Sequence, residues 1–140
     1  MKTWQLIILI AIFAFFYFSY LSYRRQSKLI KKTKLRGNIS KSDFINYLTL
    51  KGFEEKWISK LYDSILVYVP RKKFSMSPED NLIDDYKILD DDLVDIAMNL
   101  YLERNGKKAT QKEIDEAENR GASILTFEGI LIFIHKDTHQ

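Results

Sequence analysis

The sequence predicts an all-α protein: one apolar membrane-spanning helix at the amino end, followed by a small acidic bundle of short helices. Three observations predict it. Residues 3–23 carry no charged side chain and include Leu6-Ile7-Ile8-Leu9-Ile10 and an aromatic run that ends Phe15-Phe16-Tyr17-Phe18. Charge is split along the 140 residues, with eight Lys/Arg and no acid in residues 1–36 against fourteen bases and nineteen acids after them. Beyond residue 38, apolar side chains return every three or four positions, the spacing of one helical face. The net charge of +3 therefore averages a segment of +8 and one of −5, and a pI near 9 is no signature of nucleic-acid binding. Without cysteine, the chain has no disulfide framework, no cysteine-ligated zinc and no cysteine nucleophile. The 104 residues after the basic segment suffice for one domain with a core, not for two.

Residues 1–23 read as a transmembrane anchor. A helix over residues 3–23 rises ~1.5 Å per residue and reaches ~30 Å, the thickness of the hydrocarbon layer. Trp4 lies at one end and Tyr17, Tyr20 and Tyr23 towards the other, where amphipathic rings favour the interface. A small domain cannot bury so uniformly apolar a cylinder. A cleaved signal peptide fits poorly, because the run is long, bulky aromatics fill its last third, and no small-x-small site precedes Arg24. Only Lys2 precedes the span, whereas Arg24, Arg25, Lys28, Lys31, Lys32, Lys34 and Arg36 follow it. Basic flanks stay in the cytoplasm, so the expectation is a single-pass protein of the bacterial inner membrane with its carboxyl-terminal domain cytoplasmic. Residues 24–38 form a basic juxtamembrane stalk facing anionic headgroups.

Residues 39–140 are expected to form the acidic helical domain. Ser40, three residues before Asp43, caps a first helix bearing Phe44, Ile45, Tyr47, Leu48 and Leu50, with Gly52 as its stop. Trp57, Ile58, Leu61, Tyr62, Ile65, Leu66 and Val69 mark a second, closed by Pro70. Ser77-Pro78-Glu79-Asp80 suits a single helical turn inside the following loop. Residues 90–105 form the clearest helix, with Leu93, Ile96, Ala97, Leu100 and Tyr101 on one face and Asn105-Gly106 as its left-handed stop. Thr110 and Glu113 make a capping box for a short polar helix that ends at Arg120-Gly121. Residues 124–134 read two ways: a helix capped by Thr126, or a hairpin across Glu128-Gly129, which propensity alone favours.

Three stretches of this domain carry a pattern: Pro78-Glu79-Asp80-Asn81-Leu82-Ile83-Asp84-Asp85-Tyr86, then Asp91-Asp92-Leu93-Val94-Asp95-Ile96, then Leu125-Thr126-Phe127-Glu128-Gly129-Ile130-Leu131-Ile132-Phe133-Ile134. In that order, residues 58–134 resemble an acyl carrier protein, with its first helix, long acidic loop, second helix opening on Asp-Ser-Leu, short third helix and Thr-led last helix. The resemblance implies a carrier-like helical bundle and tips residues 124–134 towards a helix. It also exposes a departure. Asp92 stands where carriers have the serine that bears phosphopantetheine, and a carboxylate cannot form that phosphodiester. Ser75 and Ser77 come too early to replace it. The chain is similar to a bacterial set of uncharacterised carrier-like proteins that also lack the serine, which implies a fold and no cofactor, but names no reaction.

Residues 79–95 hold eight acids and a single base, Lys87. The resemblance implies that an acidic second helix attracts basic patches on partner proteins, and such steering selects partners more than it adds affinity. The expected partner-binding surface comprises Asp84, Asp85, Asp91, Asp92, Asp95 and Met98. Part of the acidity has a simpler cause, since Asp90, Asp91 and Asp92 open a helix whose dipole favours anions. The acids lack the alternate spacing and central glycine of a calcium loop, and His135 and His139, spaced for one helical face, lie at a frayed carboxyl end with no acid or Cys ligand pattern nearby, so no metal is expected. No catalytic residue is assigned: no Ser-His-Asp order, nucleophile elbow or phosphate loop is present. Arg71-Lys72-Lys73-Phe74 is too short a basic run, beside an acidic one, to suggest nucleic acid. The expectation is a non-enzymatic protein-interaction module, tethered to the bilayer through residues 3–23, whose partner has a basic surface. The alternatives are an immunity protein that neutralises a basic bacterial toxin and, behind it, a carboxylate-based hydrolase.

Overall fold

The computed structural model describes residues 2–69 and 74–135, and these form six α-helices and no strand. The chain divides into two units, Met1–Gly37 and Asn38–Gln140. The first is one helix, α1 (Thr3–Arg36), which ends at Gly37 in a backbone conformation of φ 80° that glycine tolerates. Every residue from 3 to 23 is exposed. Among the described residues α1 is the one helix long and apolar enough to cross a membrane. Its 34 residues reach ~51 Å at ~1.5 Å each, so the basic residues 24–36 continue the apolar helix for ~20 Å instead of forming a separate element.

The second unit comprises α2 (Lys41–Leu50), α3 (Glu55–Leu66), α4 (Asp90–Asn105), α5 (Gln111–Asn119) and α6 (Phe127–Ile134). The punctuation written in the sequence is used. The Ser40 side chain accepts the Asp43 N–H at 3.0 Å and starts α2. Thr110 and Glu113 satisfy one another's backbone N–H groups at the start of α5. Gly106, at φ 72°, closes α4. Thr126 accepts the Gly129 N–H at 3.0 Å, and residues 127–134 are helical, so the hairpin alternative is not formed.

Two details depart from the sequence expectation, and one adds to it. Residues 77–80 form a turn, not a helix, closed by the Asp80 N–H on the Ser77 carbonyl at 3.1 Å. The N-cap of α4 is Leu89, which has no side-chain acceptor, so Asp90, Asp91 and Asp92 act in the first turn through the helix dipole and not as caps. His135, expected at a frayed end, is buried at 1 % exposure. Its Nε2 accepts the Glu54 N–H at 3.2 Å and its Nδ1 lies 2.9 Å from the Leu131 carbonyl, an arrangement satisfied by the proton on Nδ1. Pro70, the basic run at residues 71–73 and His139 lie outside the described residues.

A connected aromatic core joins the elements. Phe44 of α2 meets Tyr62 of α3 edge to face at 4.9 Å and Phe127 of α6 at 4.8 Å. Phe127 then meets Tyr86 at 6.2 Å, and Tyr86 meets Phe74 at 5.7 Å. These edge-to-face contacts suit the ring quadrupoles. They carry the core from the helices into the long loop. Tyr101 of α4 stacks on Phe133 of α6 at 4.9 Å. Around these rings Leu48, Ile58, Ile65, Leu82, Leu93 and Ile130 are fully buried.

Candidate docking surface

The loop that leads into α4 is built by its own polar side chains. The buried Asp80 carboxylate accepts the Ser77 N–H at 2.9 Å and the Tyr86 hydroxyl at 2.5 Å. Asn81 Oδ1 accepts the N–H groups of Ile83 and Asp84 at 3.0 and 2.8 Å, and the Asp85 carboxylate accepts the Asn81 N–H at 2.8 Å. Such side-chain bonds let short polar residues replace a regular backbone ladder. Lys87 then takes a left-handed φ of 57°, and the chain turns into α4. Two backbone contacts fix the loop to the far end of the domain. Asn81 forms an isolated bridge with Thr126, and the Leu82 N–H donates to the Leu125 carbonyl at 2.8 Å.

This geometry divides the acids that share one stretch of sequence. Asp80 is structural. Asp85 is half-buried and commits one oxygen to the loop backbone. Asp84, Asp91 and Asp95 are exposed, and Asp92 is half-buried. On α4, Asp91, Asp95 and Met98 follow at offsets of four and seven and so share one face, with Val94 beside them. Among the described residues no base lies within ion-pairing distance of Asp84, Asp91, Asp92 or Asp95. Elsewhere in the domain some acids meet a base: Asp63 pairs with Lys41 at 2.8 Å, Glu128 with Lys51 at 2.8 Å, Glu113 with Lys107 at 2.9 Å, Glu54 with Arg104 at 2.6 Å, and Glu103 with Lys60. The Arg104 guanidinium holds the Glu54 carboxyl below its usual range, and the Glu128 carboxylate holds the Lys51 ammonium above its own.

Beside the acidic face the structure contains a half-open apolar cavity of about 520 Å³, between α4, α5 and α6. Val94, Ala97 and Met98 line it from α4, Ile114 and Glu118 from α5, and Ile130 and Phe133 from α6. Met98 is thus shared by the acidic face and the cavity wall. Met98 is expected from the sequence, but the cavity is not. Its one sequence signal is the pair Val94 and Met98, four apart on an otherwise polar face, and nothing local places α5 opposite them. Among the described residues no three of His, Asp and Glu converge as a metal site. No protein-family model, curated protein or solved structure matches this chain.

Proposed function

We propose that the protein is a membrane-anchored, non-enzymatic interaction module whose acidic domain docks a partner with a basic surface. The observation that carries this reading is the charge of Asp84, Asp91, Asp92 and Asp95, four acids within residues 84–95 that meet no base among the described residues, whereas Asp63, Glu54, Glu103, Glu113 and Glu128 each do. Exposed like charges repel one another and gain nothing within the fold beyond the dipole of α4, worth about 0.3–1 kcal/mol per group near a helix terminus. Their full worth is realised against an opposite charge brought from outside. Met98 and Val94 on the same face add apolar area.

The order of elements in the second unit supports a carrier-like bundle: α3, a long acidic loop, α4, the short α5, and α6 led by Thr126. In that reading Asp92 stands at the position of the arm-bearing serine, on the third residue of α4, and the domain binds without carrying an acyl group. α1 supplies the tether. The seven bases that follow its apolar half, against Lys2 before it, favour an inner-membrane protein with the domain in the cytoplasm.

The test is affinity capture from native bacterial membranes with the wild-type chain and with D91K/D92K/D95K, each checked for helical content. A basic protein held by the wild type and lost by the variant is the expected result. Capture that survives charge reversal would show that the acids are solvation and helix-end electrostatics alone.

A further inference from the structure

The cavity between α4, α5 and α6 carries an inference about the shape of the partner, and it rests on the docking reading above. Its volume of about 520 Å³ lies within the range of pockets that bury a ligand, but its surroundings do not suit a small molecule held inside. The lining is apolar apart from Glu118 and Ser123, so few polar groups converge to orient a compact ligand. The apolar surface also continues outside: Leu125, next to the lining residue Ile124 but not itself on the wall, is 44 % exposed. A ligand confined to the cavity would leave Leu125 wet. Carboxylates stand on two sides, Asp91 and Asp95 on α4 and Glu118 on α5, and all three are exposed.

We infer that the cavity receives two neighbouring apolar side chains of a basic amphipathic helix, which lies across α4 and α5 and presents Lys or Arg to Asp91, Asp95 and Glu118. A helix places residues i and i+4 on one face, about the separation a groove between two helices accepts, and its flanking positions reach both rims. Charge complementarity selects the basic sequence, and the apolar surface beyond the mouth selects a rod over a compact ligand. The anchors supply affinity, and the rim charges supply rate and selection.

The probe is a synthetic helical peptide with two leucines at i and i+4 on one face and lysines on the others. It is titrated by fluorescence anisotropy into the full chain in neutral detergent. Replacing both leucines by alanine, or filling the cavity from its rim with Ala122→Trp, is expected to weaken binding by roughly thirtyfold, the scale of a lost hot spot. D91K/D95K is expected to weaken binding and flatten its salt dependence. A methyl-labelled methionine spectrum covers the case in which A122W misfolds: the Met98 methyl should shift on adding peptide, while the buried Met76 methyl should not. If the Leu-to-Ala peptide binds equally well, or Met98 is silent, the cavity is not the receptor, even where charge reversal still abolishes binding. If charge reversal has no effect while cavity filling does, the acidic docking reading fails and the groove stands alone. A leucine peptide that does not bind the wild-type chain overturns the inference outright.

Discussion

Glycine 129 shows how one backbone position fixes the start of α6. A Cβ there would lie 2.5 Å from the Ser123 carbonyl oxygen and 2.9 Å from the Ser123 amide nitrogen. The Ser123 N–H also donates to the Gly129 carbonyl at 3.2 Å, so helix and preceding turn approach backbone to backbone. In an ordinary helix interior Gly→Ala adds up to ~1 kcal/mol of stability. Here the clash outweighs that gain, and Gly129→Ala is expected to destabilise by about 1–3 kcal/mol in urea denaturation, as overpacking does. Glu54 gives a second prediction. Its folded-state pKa lies below the ordinary 4.5 because Arg104 donates to it, so the interaction stabilises above that value and is lost as pH falls through the folded pKa. Glu54→Gln should therefore lower stability at neutral pH, and the gap should close as pH falls through the folded-state pKa of Glu54, the difference in urea midpoint being the readout. The Gly129 clash is local, whereas the Glu54 effect requires distant partners. Glu54 is 50 residues from Arg104 and 81 from the His135 ring that accepts its N–H. That separation is why His135 looked like part of a loose end in the sequence.

The helices differ in how much of their identity is local. α4 was legible to its last residue, because its apolar face, acidic first turn and Asn105-Gly106 stop agree with one another. α6 was not, since Ile, Leu and Phe serve a strand as well as a helix. What decides it is tertiary: Phe127 packs on Phe44 and Tyr86, Thr126 bridges to Asn81, and the cap begins one residue after the Leu125 carbonyl has been taken by Leu82. The loop before α4 was legible only as acidic. That Asp80 faces inward to Tyr86 while Asp84 faces water depends on Asn81, which has no periodic partner. The cavity was illegible for the same reason, as it depends on where α5 lies against α4. For α4 the first-turn acids still have a structural share. D90N/D91N/D92N, which removes charge without reversing it, is expected to cost about 0.3–1 kcal/mol per position in thermal or urea melts, with salt reducing the difference.

At the scale of the whole molecule, the charge division of the sequence follows the division into two units. The basic residues after the apolar run belong to the same helix as that run, and the acids belong to the other unit. An anchor of this kind predicts a plain fractionation result. The full chain should stay in the membrane pellet through alkaline carbonate and high salt, because burial of about 20 apolar residues is insensitive to either. A chain lacking residues 2–23 should be released, and added salt should strip any remainder held by its basic residues on anionic lipid. Recovery of the full chain in the carbonate supernatant would contradict the anchor.

The bond from Leu82 to Leu125, with the Asn81–Thr126 bridge beside it, also bears on the order in which the domain is made. Synthesis delivers α2, α3 and the acidic loop long before residues 125–134, yet the loop's anchor and the ring beneath Tyr86 are supplied by that last segment. On the ribosome the acidic stretch therefore emerges without its fixed shape, and it acquires that shape only when α6 arrives. Nascent chains should carry the acids but present no finished surface, so the docking proposed above, if it reads shape as well as charge, would follow only once α6 has been made.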